Sequence, residues 1–132
     1  MNAEYNFKKF TKIGSKLSNY TISYNGKSFT FGFNSGFYTR ENISQYSKVV
    51  LFYDVGRNAV AFQFSNEQDA QGAFTVVHSN NQTTGSVTAK SFIIENKLDN
   101  EKYYGKKEPK KIIDKNIGEL YVIELDVLTN DQ

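Results

Sequence analysis

The sequence predicts a β-rich α+β fold built from two ββαββ repeats related by a pseudo-two-fold axis, and three observations carry that reading. Aromatic residues are abundant, with 11 Phe and 9 Tyr but no Trp, a mixture enriched in strands. Only 1 Pro interrupts the 132 residues. The same order of elements, hairpin then short helix then hairpin, can be read twice along the chain.

Residues 1–19 hold Lys8, Lys9, Lys12 and Lys16 against Glu4 and read as a basic N-terminal arm. The first half covers 20–64. Tyr20, Ile22 and Tyr24 alternate with Thr21 and Ser23, the period of a half-buried strand, and Asn25-Gly26 supplies a turn. Residues 28–33 alternate again and place Phe29, Phe31 and Phe33 on one face, with Gly32 as a weak point in the strand. Asn34 suits an N-cap for a short helix over 35–43, although Gly36 costs about 1 kcal/mol relative to Ala inside a helix. Residues 48–55 and 59–64 make a second hairpin around Asp54, Gly56 and Asn58, with Val60, Phe62 and Phe64 on a common face.

A polar connector, 65–71, separates the halves. In the second half, 72–126, residues 74–77 read as a strand, 79–84 as a turn and 86–88 as the start of a partner strand. Thr88 is the expected cap of a helix over 89–98, and 102–113 pairs with 119–125 across a turn at 114–118. Residues 127–132 form a tail. Matching Asn34 with Thr88 also lays Glu41-Asn42 over Glu95-Asn96, and neither half buries its sheet face alone.

Composition excludes several classes. With no cysteine there is neither a disulfide nor a thiolate zinc site, which points to the cytoplasm. Residues 1–10 carry charge and lack the apolar run of a signal peptide. The longest apolar run, 49–53, falls far short of the roughly 20 residues of a spanning helix. His78 is the only histidine and is expected to be an exposed, idle residue at a strand end. Asp54 and Asp114 are explained by turns, and the carboxylates lack calcium-loop or two-metal spacing. No phosphate-binding or dinucleotide fingerprint is present. The expectation is a non-enzymatic protein with no cofactor and no metal.

Sixteen basic against 14 acidic residues leave a formal charge of +2, so any polyanion site must come from local clustering. The densest cluster is Lys102, Tyr103, Tyr104, Lys106, Lys107, Lys110 and Lys111, cations mixed with flat rings that suit phosphate contact and base stacking. The same run also reads as an edge strand protected by Lys and Pro against aggregation, and adjacent lysines on a strand project to opposite faces. Tyr20, Tyr24, Phe29 and Phe31 are assigned to the core, and Tyr38, Arg40 and Tyr46 to exposed contacts.

The run TISYNGKSFTFGFNSGFYTRENI followed by KVVLFYDVGRNAVAFQF resembles the AbrB and MazE class of swapped-hairpin DNA-binding domains, and the resemblance extends over about 20–125 if the two halves stand for the family's dimer. It implies DNA binding, with Lys27 and Arg40 as the nearest counterparts of the family's basic contacts. The family's Pro after the second strand is missing, and Arg40 stands later in the helix than the family's Arg. A second resemblance, to the Whirly class of single-stranded DNA binders, rests on aromatic sheets with basic edges. The expected partner is therefore nucleic acid, DNA rather than RNA. The alternative is a protein partner, with the chain acting as a small inhibitor or adaptor of a phage or mobile element; the oligomeric state is open, a homodimer included.

Overall fold

The computed structural model describes residues 19–67 and 71–126; the N-terminal arm with Lys8, Lys9, Lys12 and Lys16, and the tail, lie outside them. Two five-stranded antiparallel sheets are stacked with two short helices. Strand β1 (Ile22–Asn25) pairs with β2 (Thr30–Phe33), as the alternation requires. Helix α1 (Ser35–Arg40) then carries the chain to the second sheet, where β3 (Lys48–Asp54) pairs with β4 (Ala59–Ser65). Next come β5 (Phe74–Thr75), β6 (Val77–His78), β7 (Gly85–Thr88), α2 (Lys90–Glu95), β8 (Gly105–Lys107), β9 (Lys110–Asp114) and β10 (Gly118–Glu124). The first sheet runs β6-β7-β2-β1-β8 and the second β5-β3-β4-β10-β9.

The sheets are held face to face by rings. Ile22, Tyr24, Phe31 and Phe33 point inward from the first sheet, and Val49, Val60, Phe62 and Ile123 from the second, all buried. The Phe62 ring meets Phe31 edge-on at 5.1 Å and Phe33 at 5.8 Å. Phe33 also reaches Phe64 at 5.1 Å, and Phe37 of α1 meets Tyr121 of β10 at 5.1 Å. Edge-to-face pairs add about 0.5–1.5 kcal/mol each beyond burial.

Gly36 is the price of a close crossing. A Cβ there would stand 2.6 Å from the Asn19 carbonyl carbon, so only glycine lets the chain entering β1 lie across α1, where Phe37 N–H donates to Asn19 O at 3.1 Å. The helix is shorter than predicted. Asn42 takes φ 55°, which stops α1, and a 3-10 turn at Ile43–Gln45 covers the rest of the expected span. Asn34 precedes α1, but its side chain instead donates to Thr21 Oγ1 at 2.7 Å and Ser23 Oγ at 2.9 Å. Thr88 ends β7, and the residue capping α2 is Ala89.

Two predicted strands are each split between the sheets. The run 74–77 divides at the buried Val76, whose N–H donates to Ser47 O at 2.9 Å, into β5 of the second sheet and β6 of the first. The run 102–113 breaks at Glu108-Pro109, because Pro cannot donate to a ladder. Strand β8 therefore edges the first sheet and β9 the second. No helix among the described residues is long and apolar enough to cross a membrane.

If the Phe62 ring ties the sheets together, Phe62→Ala is expected to cost about 3–5 kcal/mol in urea unfolding. A loss under about 1 kcal/mol would show that the surrounding core closes without it.

Candidate nucleic-acid interface

The predicted basic residues divide into four places. Lys27, Lys102, Tyr103, Tyr104 and Lys106 come together at the hairpin-tip end of the first sheet. Arg40 and Lys111 lie beside α1, Lys107 is inside the core, and Lys110 is on the outer face of the second sheet.

At the tip, Asn25 accepts from Lys27 N–H at 3.0 Å and closes the turn, leaving the Lys27 side chain exposed. A Cβ on Gly26 would lie 2.6 Å from Tyr104 Cε1, so the turn packs directly under that ring. Tyr104 meets Tyr24 edge-on at 5.6 Å, and Tyr24 donates its hydroxyl to Leu98 O. Both phenols are pushed up in pKa, chiefly by burial, so they remain proton donors through the neutral range. Asn100 caps the 3-10 turn Glu101–Tyr103 by accepting from Lys102 N–H at 3.0 Å, and the Lys102 ammonium sits 5.5 Å over Tyr103.

The fold brings two further lysines here that the sequence reading missed. Strand β7 is antiparallel to β2, with Thr30 opposite Thr88, so α2 begins at this same end. Lys90 lies 5.5 Å over the Phe29 ring, and Lys97 adjoins Leu98, which receives the Tyr24 hydroxyl. Phe29 is held at φ 56°, an unfavourable conformation for a ring residue, and accepts from Ala89 N–H at 2.8 Å. Lys27, Lys90, Lys97, Lys102 and Lys106, all exposed, thus share one end of the sheet with the exposed Asp99 and Glu101. Beside them is a flat polar surface. The outward rows read Lys106, Ser23, Gly32, Ser86, Val77 and Asn25, Thr30, Thr88.

The remaining expectations are corrected as follows. Lys107 is 1% exposed, opposite Ile22 on the core face, and its ammonium has no hydrogen-bond partner among the described residues. Burial lowers its pKa, against a smaller opposing pull from Asp126. Lys111 is tied to Glu119 at 3.0 Å and to Glu41 at 3.8 Å. Glu41 accepts from Tyr20 at 2.7 Å and from Tyr121 at 2.9 Å, and Arg40 stacks 5.3 Å over Tyr20, so this group staples α1 to β10. Burial, then Glu41, pushes both phenols up in pKa. Tyr38, expected to be exposed, is buried. His78 ends β6 as expected but is half-buried rather than exposed: Nδ1 lies 2.6 Å from the Tyr38 hydroxyl and Nε2 lies 2.8 Å from Tyr46 O. The carbonyl needs a donor, which fixes the proton on Nε2 and makes Nδ1 the acceptor. Among the described residues, no group of His, Asp or Glu side chains is placed to hold a metal.

No family model matches the chain, and neither a curated protein nor a solved structure matches it.

A buried ammonium without a partner is a liability that an apolar chain of similar length removes. At neutral pH, Lys107→Met is expected to stabilise the fold by about 1–3 kcal/mol. Between the lowered folded pKa and the ordinary lysine value, the unfolded chain binds more protons, so the native protein gains stability as pH rises. The gap to the Met variant should therefore narrow on raising the pH towards 10, as read by thermal unfolding. A variant that is less stable at neutral pH would show that the ammonium is satisfied.

Proposed function

We propose that the chain is a non-enzymatic nucleic-acid-binding protein that holds DNA against the hairpin-tip end and polar outer face of the first sheet. The observation that carries this reading is the convergence of Lys27, Lys90, Lys97, Lys102 and Lys106 from separate segments around the half-buried rings of Phe29, Tyr103 and Tyr104. Ammonium groups contact phosphates, the Ser and Thr hydroxyls of the flat face add hydrogen bonds to the backbone, and the half-buried rings offer stacking to an unpaired base. Lys107, which is buried, and Lys111, which is ion-paired at the surface with Glu119 and Glu41, were counted in the sequence-level cluster and are not assigned to contact.

The element order β1, β2, α1, β3, β4 is that of one AbrB and MazE half, and the proposal extends the resemblance to an internal duplication. Ser35 and Lys90 open the helices, Arg40 and Glu95 close them, and the left-handed Asn42 and Lys97 stop them, all at the same spacing. The strands before the helices, β2 and β7, pair with each other, and so do β4 and β10. Lys97 then occupies the position of Asn42, one residue beyond the Asn96 that the sequence match laid there, and the second copy adds its cation to Lys27 of the first.

The test is oligonucleotide anisotropy across a salt series. Replacing Lys27, Lys90, Lys102 and Lys106 with Ser is expected to flatten the logarithmic salt slope by roughly 3, at about 0.7–0.9 per phosphate contact, with the fold intact. Replacing Lys110 and Lys115 with Ser should leave it unchanged. Absence of binding to both single-stranded and duplex DNA at low salt, or a slope lost only with Lys110 and Lys115, would overturn the reading.

A further inference from the structure

The second sheet has the opposite outer chemistry. Its outward rows read Val50, Gln63, Leu120, Ile112 and Phe52, Ala61, Val122, Lys110. All of these except Val50 and Gln63 line a groove of about 480 Å³, together with Ile117 of the turn between β9 and β10. Asp54, Arg57, Asp114 and Glu124 rim the groove. On β9, Ile112 of the outer face is 43% exposed and Ile113 of the inner face 73%. Isolated exposed aliphatics are ordinary, whereas a contiguous strip along a strand edge marks an interaction surface.

The edges themselves differ in length. Strands β5 and β6 have two residues each and β8 has three, whereas β9 presents five. Short edges are a standard guard against pairing with another chain, and β9 lacks it. Of its two lysines, Lys111 folds back onto Glu119 and Glu41, which leaves Lys110 as the guard. The other open stretch among the described residues, Val50 to Asp54 of β3 beyond its pairing with β5, keeps its large apolar side chains at least half-buried.

We propose that β9 pairs antiparallel with β9 of a second copy of this chain about a two-fold axis at Ile112. Charge complementarity selects this register. In the sequence Lys110-Lys111-Ile112-Ile113-Asp114, that register sets Lys110 opposite Asp114 of the second copy and Lys111 opposite Ile113, each twice. On the outer face two ion pairs flank an Ile112 pair. On the inner face Ile113 lies along the methylene stem of Lys111. The two grooves become one apolar surface across a ten-stranded sheet. The interface is isologous and closed, so it yields a dimer rather than a filament. It uses none of the lysines assigned to nucleic acid, and the two proposals stand separately.

Sedimentation equilibrium on the full chain, with and without two variants at exposed positions, tests the pairing. The native chain is expected to be a dimer. Ile113→Lys sets like charges opposite Lys111 twice and Lys110→Glu sets them opposite Asp114 twice; each should weaken the dimer by about tenfold or more without unfolding it. Because the chain contains no cysteine, Ile112→Cys provides a register probe: it should form an intermolecular disulfide on mild oxidation, whereas Val77→Cys, exposed on an edge of the other sheet, should not. A chain that is monomeric over the whole concentration range overturns the proposal and leaves the strip to a strand of a different protein. A dimer indifferent to both substitutions, or one that does not cross-link at position 112, overturns it as well.

Discussion

The structure depends on the aromatic layer in which Phe62 of the second sheet inserts between Phe31 and Phe33 of the first. Every other feature accommodates that contact. To bring those rings together the chain moves between the sheets at α1, at Val76 and at Glu108-Pro109, and the first two crossings have anchors of their own. At α1 the anchor is Glu41, held by Tyr20 and Tyr121. At Val76 it is the bond to Ser47 O, with His78 nearby locked between Tyr38 and Tyr46. Sheets with both inner faces spent on rings have their outer faces and open edges left for partners.

Those outer faces divide the chemistry between them. The first bears small polar residues bordered by lysines, a surface that water tolerates and a polyanion can replace water on. The second bears Phe52, Val122, Leu120 and Ile112 around a groove, a surface that water tolerates poorly. The overall charge of +2 conceals this, because it does not show that five of the lysines converge at one end, where Asp99 and Glu101 offset only part of their charge. A protein with both faces can hold a charged ligand on one side and its own copy on the other without either site obstructing the other.

How much of this was legible follows from which forces act locally. Alternation over 20–33 and 48–64 placed Phe31, Phe33, Val60 and Phe62 on the core faces, since strand period is set by neighbouring residues. The β-rich α+β class was legible for the same reason. Gly36 looked like a defect because its purpose, the passage of Asn19, lies in another segment. The lysine run looked continuous because sequence does not show that Pro109 sends β8 and β9 to different sheets; parity then turned Lys106 outward and Lys107 into the core. Lys90 and Lys97 escaped notice since only the β2–β7 pairing brings them to Lys27. His78 was read from its polar neighbours, while its partners are 32 and 40 residues away.

The claim that the two outer faces are specialised is tested most directly by backbone amide chemical shifts during titration with a short oligonucleotide. The account expects the perturbations to gather at Lys27, Lys90, Lys97, Lys102 and Lys106 and to spread along Ser23, Thr30 and Ser86, with Ala61, Leu120 and Val122 unmoved. Perturbations centred on the groove of the second sheet, or none at either face at low salt, would contradict it.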